Sequence, residues 1–89
     1  MTDAEMIKII NDSIIEEFEF DPDAMTPDAH LVKKLGMDSL DFVDLVVVLQ
    51  NAFGVKLRDE PKVRQINTLG DLHNLVLEKK RQLEAEGQS

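Results

Sequence analysis

No cysteine occurs anywhere in the 89 residues. Disulfides and thiolate metal sites are thereby excluded, and any thiol chemistry must come from a bound group. Tryptophan and tyrosine are absent too, and four phenylalanines are the only aromatics. The core must therefore be aliphatic, built from Ile, Leu, Val and Met. No apolar run is long enough to span a bilayer. Met1-Thr2-Asp3-Ala4-Glu5 is acidic, with no apolar stretch of the secretory kind behind it, so a cytoplasmic protein is expected. Positive charge is scarce. Ten Lys and Arg face eighteen Asp and Glu, for a net charge of -8. That balance argues against nucleic acid and against anionic membrane surfaces. It favours partners with basic patches, met at electrostatically steered rates.

The hydrophobic fraction of 43% suits a globular chain and is too high for a disordered one. Eighty-nine residues fit one domain, with a folded core expected over about 3–84 and a charged tail over 85–89. Ile7, Ile10, Ile14 and Phe18 recur at helical spacing, which predicts a first helix from Asp3 to Phe18, ended by Asp21-Pro22. Residues 19–38 form a long connection. Within it, Thr26-Pro27 reads as a cap and first-turn pair opening a short helical turn to His30 or Leu31. Asp38 is a good N-cap for a second helix over Ser39–Phe53, and Gly54 ends it. Asp59-Glu60-Pro61 opens a short third helix ending near Gln65. Thr68 caps the last helix, with Asp71 in its first turn, a stripe of Leu69, Leu72, Leu75, Val76 and Leu83, and Gly87 past its end. No strand-like alternation or repeat is visible. The expected fold is all-α: a small four-helix bundle of three main helices and one short one.

The second helix carries more apolar surface than one stripe needs. At about 100° per residue, Phe42, Leu45, Val46, Leu49 and Phe53 share a face. Leu40, Val43 and Val47 fall on roughly the opposite side, and Val48 lies at the flank. Either the helix is buried all round, or the second set is an exposed patch that meets partners. Asp41 and Asp44 edge that patch, and residues 36–53 hold no positive charge. An apolar strip edged by carboxylates suits a basic, partly apolar surface.

Ser39 follows the Asp38 cap and sits at the positive end of the helix dipole, beside the second patch. A phosphate attached there is stabilised by roughly 0.3–1 kcal/mol. Serine is also common at helix starts for purely structural reasons, so the residue alone decides nothing. Gly36-Met37-Asp38-Ser39-Leu40-Asp41, however, resembles the phosphopantetheine attachment motif of acyl carrier proteins. The likeness runs from about Glu5 to Lys80 and takes in Leu35, Val43-Asp44-Leu45-Val46, Phe53-Gly54-Val55 and Ile66 to Leu72.

The resemblance implies a function without catalysis by the chain itself. A phosphopantetheinyl transferase (holo-ACP synthase) would place 4′-phosphopantetheine on Ser39, with Asp38 as the helix cap beside it. The arm would carry acyl groups as thioesters, with the chain tucked among the helices. Acyltransferases, ketosynthases or acyl-ACP ligases with basic surfaces would dock on Leu40, Asp41, Val43, Asp44 and Val47. Lys33, Lys34, Gln50, Asn51, Ala52, Arg58 and Lys62 depart from the family's commoner acidic pattern. These departures suggest a specialised carrier rather than the housekeeping one, in fatty-acid or related lipid or polyketide biosynthesis. An aminoacyl or peptidyl load, or an unmodified helical adaptor using the same patch, are the alternatives.

Other constellations fail. Ser39 with His30 and an Asp lacks the G-x-S-x-G turn and any oxyanion loop of a hydrolase. His30 reads as a loop residue and His73 as a surface residue of the last helix. Asp21, Asp23 and Asp28 suggest a calcium loop, but its sixth and twelfth positions hold Thr26 and Val32 rather than Gly and Glu. No metal is expected. A monomer is favoured by the lack of a self-complementary stripe.

Overall fold

Thr2 opens the first helix with a reciprocal cap. Its Oγ1 accepts the Glu5 N–H at 3.1 Å, and Glu5 Oε1 accepts the Thr2 N–H at 3.1 Å. The Thr2 backbone N–H, and after it the Thr2 side chain, hold the Glu5 carboxyl below its ordinary pKa. The chain is a computed structural model that describes residues 2–57 and 61–87. Helix α1 spans Asp3–Phe18 and buries Met6, Ile10 and Ile14, while Ile7 and Phe18 are half-buried.

The stop after Phe18 is made earlier than the proline. Glu19 takes the left-handed conformation, with φ 57, and donates its N–H to the Ile15 carbonyl. Phe18 and Phe20 stack across this turn with centroids 5.5 Å apart. Pro22 instead opens a 3₁₀ turn, Pro22–Ala24, which Asp21 caps by accepting the Asp23 N–H at 3.0 Å.

The helical turn expected from Thr26 to His30 or Leu31 shrinks to a single hydrogen-bonded turn, in which Ala29 donates to Thr26 O at 3.0 Å. The backbone groups beyond it bond to the start of the last helix instead. Gly70 donates to Pro27 O at 2.8 Å, Leu69 to Ala29 O at 2.9 Å, and Leu31 to Asn67 O at 2.8 Å. His30 and Thr68 thereby form an isolated β-bridge. The connection then coils through residues 31–35, where His30 Nδ1 accepts the N–H groups of Val32 and Lys33. Gly36, at φ 73, turns the chain into the second helix.

Helix α2, Ser39–Phe53, ends at Gly54 in the left-handed region, as its sequence predicts. A second 3₁₀ turn covers Pro61–Gln65. The expected cap residues Asp59 and Glu60, and Arg58, lie outside the described residues. Helix α3 spans Leu69–Gly87, so Gly87 lies inside the helix rather than beyond it, and residues 85–87 are helical. Gln88 and Ser89 of the expected tail lie outside the described residues. Thr68 and Asp71 form the expected cap: Thr68 Oγ1 accepts the Asp71 N–H, and Asp71 Oδ2 accepts the Asn67 and Thr68 N–H groups. Those backbone donors lower the Asp71 pKa, Asn67 most strongly.

Helix α1 packs on both α2 and α3, and α3 also meets the second 3₁₀ turn. Ile10, Ile14, Leu45, Leu49, Leu69 and Val76 are fully enclosed at the centre. The described residues hold no strand, and the architecture is an all-α bundle of three main helices with 3₁₀ turns. Leu83, assigned to the α3 stripe, is 39% exposed. His73 corrects another expectation. It is buried against α1, where its Nε2 lies 2.7 Å from Asn11 Oδ1. An amide oxygen only accepts, so Nε2 carries the proton. The helical repeat places His73 beside Leu72, Val76 and Leu77 on the buried side, and Asn11 supplies the partner that makes burial tolerable. Desolvation lowers its pKa.

Candidate functional site

Asp38 fixes the start of α2. Its backbone is extended, and its Oδ1 accepts the Asp41 N–H at 2.8 Å while Asp41 Oδ2 accepts the Asp38 N–H at 3.2 Å. Both carboxylates are thus held against the helix's own first turn. Ser39 is then the first helical residue, and it is exposed. Its side chain stands where the first N–H groups of the helix and the positive dipole end project.

A groove of about 800 Å³ begins at this point. Three sections of chain wall it. The long connection contributes Leu31, Val32 and Met37. Helix α2 contributes Asp38 and Ser39 at the mouth, then Phe42, Val43, Val46 and Val47 at helical spacing. The segment around the second 3₁₀ turn closes the far side with Val63, Arg64 and Ile66. The lining is chiefly aliphatic, and Asp38, Ser39 and Arg64 are its polar members.

The structure sorts the two apolar sets of α2 in a way the helical wheel does not. Leu45, Val46, Leu49 and Phe53 are buried as expected. Phe42, assigned to the core stripe, is only half-buried and forms groove wall. Leu40 and Val43, from the second set, are 77% and 58% exposed. Val47, on the same side of the wheel, is half-buried in the groove. Val48 is half-buried at the flank, and Asp44 is exposed. Ser39, Asp38, Leu40, Asp41, Val43 and Asp44 therefore lie together at the front of α2. Val32, Val63, Arg64 and Ile66 were missed. Val63 and Ile66 stand three apart on the short turn, a spacing that marks one face and could have been read. Nothing local marks Val32, which is 57% exposed.

His30 Nδ1 is engaged by two backbone N–H groups, so that nitrogen is not free to activate a hydroxyl. Among the described residues no group of three or more His, Asp or Glu is arranged to hold a metal. Asp28 has a lowered pKa because the Thr26 hydroxyl bonds to it, which makes it a turn residue. Among the described residues no helix is long and apolar enough to cross a membrane.

An exposed primary hydroxyl at a helix start, opening on an aliphatic groove, fits a phosphate-linked arm with an apolar cargo. Comparison with known proteins decides the family. A family model described as the phosphopantetheine attachment site matches residues 8–76. Acyl carrier protein 2 of Ralstonia nicotianae is 38% identical over 76 residues, which covers 85% of this chain and 93% of that protein. The chain belongs to the acyl carrier protein family. The acyl carrier proteins AcpXL of Brucella melitensis and Brucella suis are 41% identical over 58 residues, 65% of this chain and 62% of theirs. The apo doublet acyl carrier protein from prodigiosin biosynthesis superposes with a TM-score of 0.71. That match covers 85% of this chain and 36% of the doublet, and at 18% identity it speaks to the fold alone.

As a member of this family the protein is a carrier and not a catalyst. Its cofactor is 4′-phosphopantetheine, which supplies the thiol that a chain without cysteine lacks. Family membership also implies dealings with a phosphopantetheinyl transferase and with biosynthetic enzymes.

Proposed function

We propose that Ser39 is the residue that bears the arm, and that the groove beside it shelters an acyl load held as a thioester. The observation that carries this reading is the exposed Ser39 hydroxyl on the lip of an aliphatic groove. Asp38 keeps that hydroxyl in place by capping the helix it starts. Phe42, Val46, Val47 and Val63 offer the load an apolar wall. Leu40, Asp41, Val43 and Asp44 form the landing strip for acyltransferases, ketosynthases or acyl-ACP ligases, with Val47 at its inner edge. Exposure of Leu40 and Val43 supports that role, since large apolar side chains held in water mark contact surfaces.

The protein acts as one carrier domain, monomeric and cytoplasmic, in fatty-acid or related lipid or polyketide biosynthesis. It serves its own partner set rather than the housekeeping synthase. Lys33 and Lys34 of the connection and Arg64 of the groove lining support that specialisation, because each puts a cation on a chain whose net charge is -8.

The test is coexpression with a phosphopantetheinyl transferase, followed by intact mass. The wild type is expected to gain one phosphopantetheine, and Ser39→Ala none. An unmodified wild type would instead favour a helical adaptor. Failure to support elongation by the host's standard synthase would bear out specialisation, and efficient elongation would refute it.

A further inference from the structure

Arg64 is a cation facing the groove of a strongly anionic protein. It is exposed, and it makes no ion pair among the described residues. Asp38 is the carboxylate that lines the groove with it, and one of its oxygens is committed to the Asp41 N–H of the first turn of α2. Asp41, outside the lining, spends an oxygen on the Asp38 N–H. Lys62, its neighbour on the same 3₁₀ turn, is drawn away to Glu78 of α3 at 2.9 Å. A guanidinium with five donors is therefore left over in the lining that also holds Ser39.

Resting on Ser39 as the attachment residue, we infer that Arg64 is a positioning residue that binds the phosphodiester of the arm and holds its base across the groove mouth. A phosphodiester on Ser39 carries a full negative charge beside the Asp38 and Asp41 carboxylates, which repel it. Arg64 is the cation of the groove lining, and its planar fork matches two phosphate oxygens. With the base of the arm held there, the cargo enters between Phe42 and Val63 rather than trailing into solvent. No bond is made or broken in this step. Arg64 acts on the arm's orientation alone.

The test uses the full chain, carrying its arm, as wild type, Arg64→Gln and Arg64→Lys. Intact mass first establishes that each is modified, and the apo forms are melted to establish that folding is unchanged. Phosphorus NMR then reads the diester. At low ionic strength the wild-type resonance is expected to differ from that of Arg64→Gln, with Arg64→Lys between them. In about 1 M salt, where the Debye length is about 3 Å, the wild-type resonance should move toward the Gln value. The Arg64 Nε–H resonance should shift between apo and holo wild type. Coincident phosphorus spectra for wild type and Arg64→Gln at low salt would overturn the inference and leave the carrier reading intact. If the wild type takes up no arm, the carrier reading falls first and this inference with it.

Discussion

Asp38 stands one residue before Ser39, and its carboxylate closes the first turn of α2. Replacing it with Ala is expected to cost about 1 kcal/mol. In a domain of this size that lowers the melting temperature by roughly 4–8 °C. Circular dichroism of Asp38→Ala checks this, and an unchanged melting curve would show that the cap is not what holds the helix start. His73 gives a second test of the same kind. Its folded pKa is depressed below 6.5 because the ring is buried. Folding therefore favours the neutral ring, so its contribution is fully present above the unfolded pKa. It is lost as the pH falls from there through the lowered folded value. Urea unfolding at pH 7.5 and at pH 5.5 should show the wild type losing stability relative to His73→Gln, which cannot gain a proton. Parallel pH responses would mean that burial does not tune this ring. Asn11→Ala should destabilise by about 1–3 kcal/mol by stranding the buried Nε2–H.

Three helix ends were legible because capping is local. Thr68 and Asp71, Asp38 and Asp41, and Gly54 each announce a terminus within four residues of chain, and each stands where that reading puts it. The connection from 19 to 38 was not legible for the opposite reason. Thr26-Pro27 has the chemistry of a helix start and makes one turn, but the Pro27 and Ala29 carbonyls that a helix would use are taken by residues 70 and 69. That competition depends on residues some forty positions away, which no local pattern displays. The same limit explains Phe42 and Val47. A wheel gives the direction of a side chain but not how close the next wall stands, and here that wall is the 3₁₀ turn at Val63. Gly70 tests the clamp directly. A Cβ on it would sit 2.9 Å from the Pro27 carbonyl oxygen, where backbone must give way. Gly70→Ala should therefore cost about 1–3 kcal/mol. It should also speed amide exchange at Leu31 and Leu69, whose bonds belong to the same clamp. Wild-type exchange at both amides would show that the connection is held by its buried side chains, Ala29 and Leu31, and not by these bonds.

Among the described residues, charge does little for stability. The ion pairs Lys8–Asp12, Lys62–Glu78 and Arg81–Asp3 are solvent-exposed, where water and salt screen them and little net gain is left. The net charge of -8 therefore costs the compact state some repulsion, and its use lies in encounters with partners. Asp41 and Asp44 were treated alike in the sequence, but the structure separates them. Asp41 closes the cap, so reversing its charge disturbs both folding and docking. Asp44 is exposed and no cap bond of α2 uses it, so it reports on docking alone. Asp44→Lys is expected to keep the wild-type melting temperature within about 0.5 kcal/mol of stability. Its association with the phosphopantetheinyl transferase should slow several-fold at low ionic strength, with the difference closing as salt is added. Stopped-flow association at several salt concentrations measures this. Equal rates at low salt would move the landing strip off the front of α2, whereas a rate loss that salt does not erase would mean that Asp44 touches the partner directly rather than steering it.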